Sequence, residues 1–194
     1  MTLAGSSPSS EGDLVSWPWD KIVAVEQIEE TLVSGFSCGD EAMDDWFLNK
    51  ALNWCYLGFC QVHVAVDESG VVGFFSLSPT QIEPASLSRK MRDGKTRMGH
   101  PGLLLGRIAV RGDLQRSSRR VGSILLEHAI YKAHEVSKVI GGRFIILDAK
   151  TDELCEWYRK MGFRSLNDNA RRMVLPMKDA ALLVRSLGEG HFRF

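Results

Sequence analysis

Apolar and polar positions change period along the chain, and the period assigns the elements. Ile22 to Ile28 alternates as a strand does. Met43, Trp46, Phe47, Ala51 and Trp54 then recur at helical spacing, which predicts one amphipathic helix over residues 40–57, with Cys38-Gly39-Asp40 as turn and cap. QVHVAVD and VVGFFSLSP read as a hairpin around Glu68-Ser69-Gly70. Residues 84–101 are polar, basic and bounded by Pro and Gly, a long loop or short helix. LLLGRIAV is nearly all apolar and reads as a central strand covered on both faces.

A long helix follows, with Val121, Leu125, Ala129, Ala133, Val136 and Ile140 on one stripe and Gly141-Gly142 at its end. FIILDA is a second buried strand, and TDELCEWYRKMG a short helix with a Thr cap and an acidic first turn. FRSL and RRMVLPM are closing strands and AALLVRSLG a last helix. Strand, helix, strand, helix, strand in the second half implies some parallel pairing, while the earlier hairpin implies antiparallel pairing beside it. The expectation is an α/β fold with a mixed sheet, in a single domain without internal repeats.

Composition narrows the class. The chain has 194 residues, 44% hydrophobic and 25% charged, which suits a globular domain with a true core. Formal net charge is zero, so attraction to a polyanion has to come from a local patch. The uncharged stretch Val71 to Ile82 is too short to span a bilayer, so no membrane role is expected. Residues 1–19 open on a Ser/Gly/Pro-rich stretch without a signal-peptide core and read as a flexible tail ahead of a domain over 20–194. Cys38, Cys55, Cys60 and Cys155 match no zinc spacing and read as free thiols in the cytoplasm, with no metal.

One stretch breaks its own local rules. RSSRRVGSILLEHA puts Arg116, Arg119 and Arg120 where a helix begins. A cation there faces the positive end of the helix dipole, at about 0.3–1 kcal/mol each. Gly122 costs about 1 kcal/mol more than Ala inside a helix. A pyrophosphate on this turn would convert the repulsion to attraction, and Gly122 would let the backbone approach it. The alternative is that the arginines pair with Asp113 and Glu127 or project into water.

LGRIAV, RSSRRVGSILLEHA, FIILDA and CEWYRKMGF, in that order and spacing, resemble the GNAT acetyltransferase superfamily over roughly residues 20–178. The resemblance implies a GNAT-like mixed, mostly antiparallel sheet flanked by helices, with acetyl-CoA as cofactor. It implies that Leu105 to Val110, with Ile108, Ala109 and Val110 foremost, hold the pantetheine arm. The phosphate turn would be Arg116, Ser117, Ser118, Arg119, Arg120, Val121, Gly122 and Ser123. The family pattern Q/R-x-x-G-x-G/A falls on Ser117, Arg120 and Gly122, so only its last Gly is kept.

FSCGDEAMDDWFLNKAL resembles, more narrowly, the GNAT toxins of bacterial toxin–antitoxin modules. That resemblance implies acetylation of the α-amino group of aminoacyl-tRNA and a block on translation. It also implies a ribbon-helix-helix antitoxin as partner; a homodimer is one candidate assembly, and the sequence does not set the oligomeric state.

The chemistry needs a neutral amine and a proton for the departing thiolate. Tyr158 is where the family keeps such a donor, and packing beside Trp157 is its alternative role. His63, His100, His128 and His134 are bases by residue type, with a structural role the commoner one for each. Arg89, Lys90, Arg92, Lys95 and Arg97, together with Arg107 and Arg171, are the candidate RNA contacts, with Arg111 and Arg172 beside them. Two other functions compete. One is a GNAT enzyme for a protein or small-molecule amine, the other a non-catalytic CoA- or RNA-binding module.

Overall fold

Seven strands form one sheet in the computed structural model of the chain, which describes residues 18–92 and 98–192. They are β1 (Lys21–Ala24), β2 (Gln61–Asp67), β3 (Gly70–Ile82), β4 (His100–Val110), β5 (Phe144–Asp148), β6 (Arg164–Ser165) and β7 (Arg172–Pro176). Their order is β1-β2-β3-β4-β5-β7-β6. Every neighbouring pair is antiparallel except β4 and β5, so the sheet is mixed and mostly antiparallel, in a single domain. The helices are α1 (Glu30–Val33), α2 (Glu41–Asn49), α3 (Ala51–Tyr56), α4 (Val121–Ile140), α5 (Asp152–Lys160) and α6 (Met177–Leu187).

Alternation within the central strands feeds two cores. On one face Leu105, Val110, Ile145 and Leu147 pack with Val121, Leu125, Ala129 and Ala133 of α4. On the other, Val62, Val64, Phe74 and Ala109 pack with Trp46, Phe47 and Ala51. Phe47 stacks flat on Phe74 at 4.2 Å. Trp19, at the end of the stretch read as a tail, is buried and meets His128 edge-on at 5.0 Å. The rest of that tail before Pro18 lies outside the described residues.

Four local expectations are corrected. The first strand stops at Ala24 and turns into a 3-10 segment, Val25–Gln27. Its partner β2 begins only at Gln61, whose side-chain amide donates to the Glu26 carboxylate at 3.0 Å in place of a ladder bond. The helix over 40–57 is two helices broken at Lys50, where Asn49 and Lys50 both fold back onto Asp45. β4 starts at His100, inside the stretch read as a loop. Ile140 is exposed rather than part of the α4 stripe, because the helix ends there at Gly141.

One departure from regularity positions the site. β4 and β5 pair only over Gly102–Leu104 and Phe144–Ile146. At Gly102 the strands approach so closely that a Cβ would lie 2.4 Å from Ile146 Cδ1. Beyond Leu104 the ladder stops while β4 runs on to Val110. A bulge at Gly106, opposite Ser76 and Leu77, bends β4 at this point. The strands therefore splay, and among the described residues no strand lies beside one edge of β4 from Leu105 onward.

Candidate active site

The splay opens a cleft of about 710 Å³ whose walls come from β4, the start of α4, the end of β5 and α5. Leu105 to Val110 form one wall. An unpaired strand edge presents N–H and C=O groups at regular spacing, which suits an extended amide-bearing ligand.

At the far end of β4 the chain turns into α4 through two left-handed residues, Arg116 (φ 54°) and Arg120 (φ 53°). Each costs a non-Gly residue roughly 1–2 kcal/mol. Left-handed residues beside right-handed ones turn successive N–H groups toward one point, an anion-binding concavity. Arg120 is also the helix cap and offers no side-chain acceptor, and no acidic residue occupies the first turn. The N–H groups of Val121 and Gly122 have no acceptor within the helix. Ser117 Oγ is buried at this turn and, among the described residues, has no hydrogen-bond partner.

The arginines are not neutralised locally. Asp113 is taken by Arg111 at 2.8 Å and Glu127 by His191 at 2.7 Å. Among the described residues, no carboxylate lies within ion-pair distance of Arg116, Arg119 or Arg120. Strain, free amides, an unpartnered hydroxyl and uncompensated cations together make a site for a multiply charged anion. The residues present fit the pyrophosphate of acetyl-CoA.

Tyr158 lines the same cleft from α5, whose start is fixed by Thr151 accepting from the Leu154 N–H at 3.2 Å. Its ring is wedged between Trp157 at 4.8 Å and Phe163 at 5.7 Å. Burial, and secondarily the nearby Cys155 thiol, push its pKa up to about 12. No described residue hydrogen-bonds its hydroxyl, which keeps its proton at neutral pH and is free to donate it. Cys38 also lines the cleft, but burial and Asp44 raise its pKa to about 11. It is a thiol at neutral pH, not the thiolate a nucleophile requires.

Of the residues expected to hold the cofactor, Ile108, Ala109, Val110, Arg116, Ser117, Arg120, Val121, Gly122 and Ser123 line the cleft; Ser118 and Arg119 are exposed and do not. Of the expected RNA contacts, Arg107 lies in the cleft, with its guanidinium 4.0 Å over Trp46. Arg171 is outside the cleft lining, bonded to Asp152 at 3.0 Å and to the carbonyl of Lys150, a lining residue, at 3.2 Å. Arg89, Lys90 and Arg92 are exposed together after a 3-10 turn, away from the cleft lining. Lys95 and Arg97 lie outside the described residues. Arg111 does not line the cleft; it bonds Asp113 and the Ser69 hydroxyl at the β2–β3 turn. No histidine lines the cleft. Burial lowers His63 and His128 to about 4.

Sequence reasoning missed Gln115, Asp40 and Lys150. Gln115 donates to the Val110 and Cys38 carbonyls, tying the end of β4 to the loop before α2. Asp40 caps α2 and pairs with Lys150, so two segments join across the cleft mouth. Gln115 directly precedes the arginine stretch, so its position was the available signal. Nothing local pointed to the Asp40–Lys150 pair.

The sequence is 31% identical over 156 residues to a tRNA-acetylating toxin of Mycobacterium tuberculosis, covering 78% of this chain and 90% of that protein. The chain belongs to the GNAT toxin family. Other members share its fold at lower identity. AtaT complexed with acetyl-methionyl-tRNAfMet superposes with a TM-score of 0.75 at 21% identity, over 84% of this chain and 97% of that one. A variant of AtaT bound to acetyl-CoA and the C-terminus of its antitoxin AtaR superposes with a TM-score of 0.67 at 20% identity, over 84% and 97%. No protein-family model matches the sequence. Among the described residues, no helix is long and apolar enough to cross a membrane, and no group of His, Cys, Asp and Glu suits a metal ion.

Proposed function

We propose that this chain transfers the acetyl group of acetyl-CoA to the α-amino group of aminoacyl-tRNA, as the translation-blocking toxin of a toxin–antitoxin pair. The observation that carries the chemistry is the strained, uncompensated arginine turn at the end of a splayed strand edge. The tRNA acceptor rests on the relation to the mycobacterial toxin, and the antitoxin on the likeness to AtaT. The substrate assigns the work to the cytoplasm. The catalytic unit includes Trp19, which packs in the core, and so starts earlier than residue 20.

Bound acetyl-CoA supplies the acetyl group as a thioester. The edge of Leu105 to Val110 orients the pantetheine arm by backbone hydrogen bonds. The Val121 and Gly122 amides, the Ser117 hydroxyl and the Arg116 and Arg120 guanidiniums hold the pyrophosphate. Tyr158 gives its proton to the departing thiolate, and the proton that the attacking amine loses on becoming an amide restores the phenol. The protonated Cys38 favours direct transfer to the amine over an acetyl-cysteine route. The acceptor amine of an aminoacyl ester is less basic than a lysine, so no dedicated base is required. Arg107 and Arg171, with Arg89, Lys90 and Arg92, position phosphates of the tRNA without reading sequence.

Labelled acetyl-CoA offered to a panel of purified charged tRNAs, the same tRNAs uncharged, and a peptide with a free N-terminus tests the reading. Label should enter charged tRNA alone. Label in the peptide would make this a protein acetyltransferase, and binding without transfer a CoA-binding module.

A further inference from the structure

A line of aromatic rings runs from the cleft to the surface. Arg107, in the cleft wall, lies 4.0 Å over the Trp46 ring and 5.2 Å from the Trp54 ring. Trp46 meets Trp54 edge-on at 5.8 Å, and Trp54 meets Phe59 at 5.6 Å. Phe59 is 61% exposed at the outer end, beside Tyr56 at 73%. The turn is built to display it. Gly58 takes φ +74°, and the Phe59 N–H donates to the Trp54 carbonyl at 3.0 Å.

Leaving large rings in water gains nothing for the fold. The cation at the inner end is equally unexplained by the fold. Among the described residues, Arg107 has no carboxylate partner. Burial lowers its pKa, yet it stays charged, held only by the indole faces. Glu26, whose charge reaches Cys55 and Cys60, is occupied by the Gln61 amide. A half-buried Trp54 and an exposed Phe59 beside a guanidinium without a carboxylate partner, at a reaction cleft, match single-stranded nucleic acid. Bases stack on aromatic rings regardless of sequence, and a cation takes the backbone phosphate.

We propose that Trp54 and Phe59 are the stacking platform for the unpaired 3′ end of the acceptor tRNA, with Arg107 holding the phosphate nearest the reacting end. The proposal rests on aminoacyl-tRNA being the acceptor. Phe59 meets a base upstream of the terminal nucleoside, which gives it a signature no structural role would share.

The test compares wild type, Phe59→Ala and Phe59→Trp on two acceptors. One is the charged tRNA acetylated fastest in the panel above, the other the aminoacyl-adenosine carrying the same amino acid. Phe59→Ala should raise KM for the charged tRNA about tenfold. It should leave KM for the aminoacyl-adenosine and the affinity for acetyl-CoA unchanged. Phe59→Trp, which restores a ring, should return KM to the wild-type value. The slope of KM against salt should stay the same, because stacking releases no counterions. Equal KM for wild type and Phe59→Ala on charged tRNA overturns the platform. So does a rise on both acceptors together, or a dimer lost in Phe59→Ala with KM unmoved, which would make the rings a contact with a second copy. If the wild type acetylates no charged tRNA, the acceptor assignment fails first and the platform with it.

Discussion

Tyr158 and Arg120 are the residues whose physics differs most from their surroundings. Tyr158 lines the cleft and no described residue hydrogen-bonds its hydroxyl, so removing it costs the fold little. Tyr158→Phe should melt within a degree or two of wild type and bind acetyl-CoA equally well, while transfer falls about 10²–10⁴-fold. Calorimetry and single-turnover rates on one preparation check both halves; a wild-type rate would reduce Tyr158 to a packing residue. Arg120 holds a left-handed conformation that the family pattern gives to Gly. Arg120→Gly should therefore leave stability equal or raised by up to about 1 kcal/mol. Acetyl-CoA affinity should drop, because a guanidinium leaves the phosphate turn. Unchanged affinity would assign the phosphate to backbone amides alone.

The start of α4 and the splay of β4 from β5 are the elements that make the site. Gly122 faces open space, its nearest neighbour for an added Cβ being Val110 Cγ2 at 3.9 Å. Gly122→Ala should thus stabilise the helix by about 1 kcal/mol. In a chain of this size that raises Tm by about 2–4 °C. Acetyl-CoA binding should weaken at the same time, since the methyl occupies the approach to the phosphates. A Tm gain with no loss of affinity would place the phosphates elsewhere. This element was legible in the sequence because its penalties are local: three arginines and a glycine at a helix start need an anion to offset them. The splay was not legible, since LLLGRIAV shows neither where its pairing with FIILDA ends nor that Gly106 bulges. The break at Lys50 was hidden for the same reason, as helical spacing of apolar residues continues across it. The Asp40–Lys150 pair joins positions 110 residues apart, beyond any periodic signal.

At the scale of the molecule, two buried imidazoles link stability to acidity. His63 is stacked on Phe75 at 4.9 Å, and His128 donates from Nδ1 to the Ile124 carbonyl at 2.9 Å. Burial lowers both to about 4, from the ordinary value of about 6.5. Between those values the unfolded chain binds more protons than the folded one, so stability falls as pH drops from about 6.5 through 4. Melting curves across that window should show a declining Tm, and a shallower decline in His128→Gln. A flat profile would mean the imidazoles are not held neutral. The fold class and the order of the C-terminal elements were readable from periodicity, whereas the place of Cys38, Asp40 and Met43 in the cleft lining depends on tertiary packing of α2 against the sheet.

The most direct measurement follows the acetyl group to its atom. Charged tRNA is incubated with labelled acetyl-CoA and the enzyme, the aminoacyl ester is cleaved with mild base, and the fragments are separated. Wild type should release the label as an N-acetylated amino acid and leave the RNA unlabelled, and Tyr158→Phe should release almost none. Label that stays on the RNA after the ester is cut, or that appears equally with uncharged tRNA, would contradict acetylation of the aminoacyl amine.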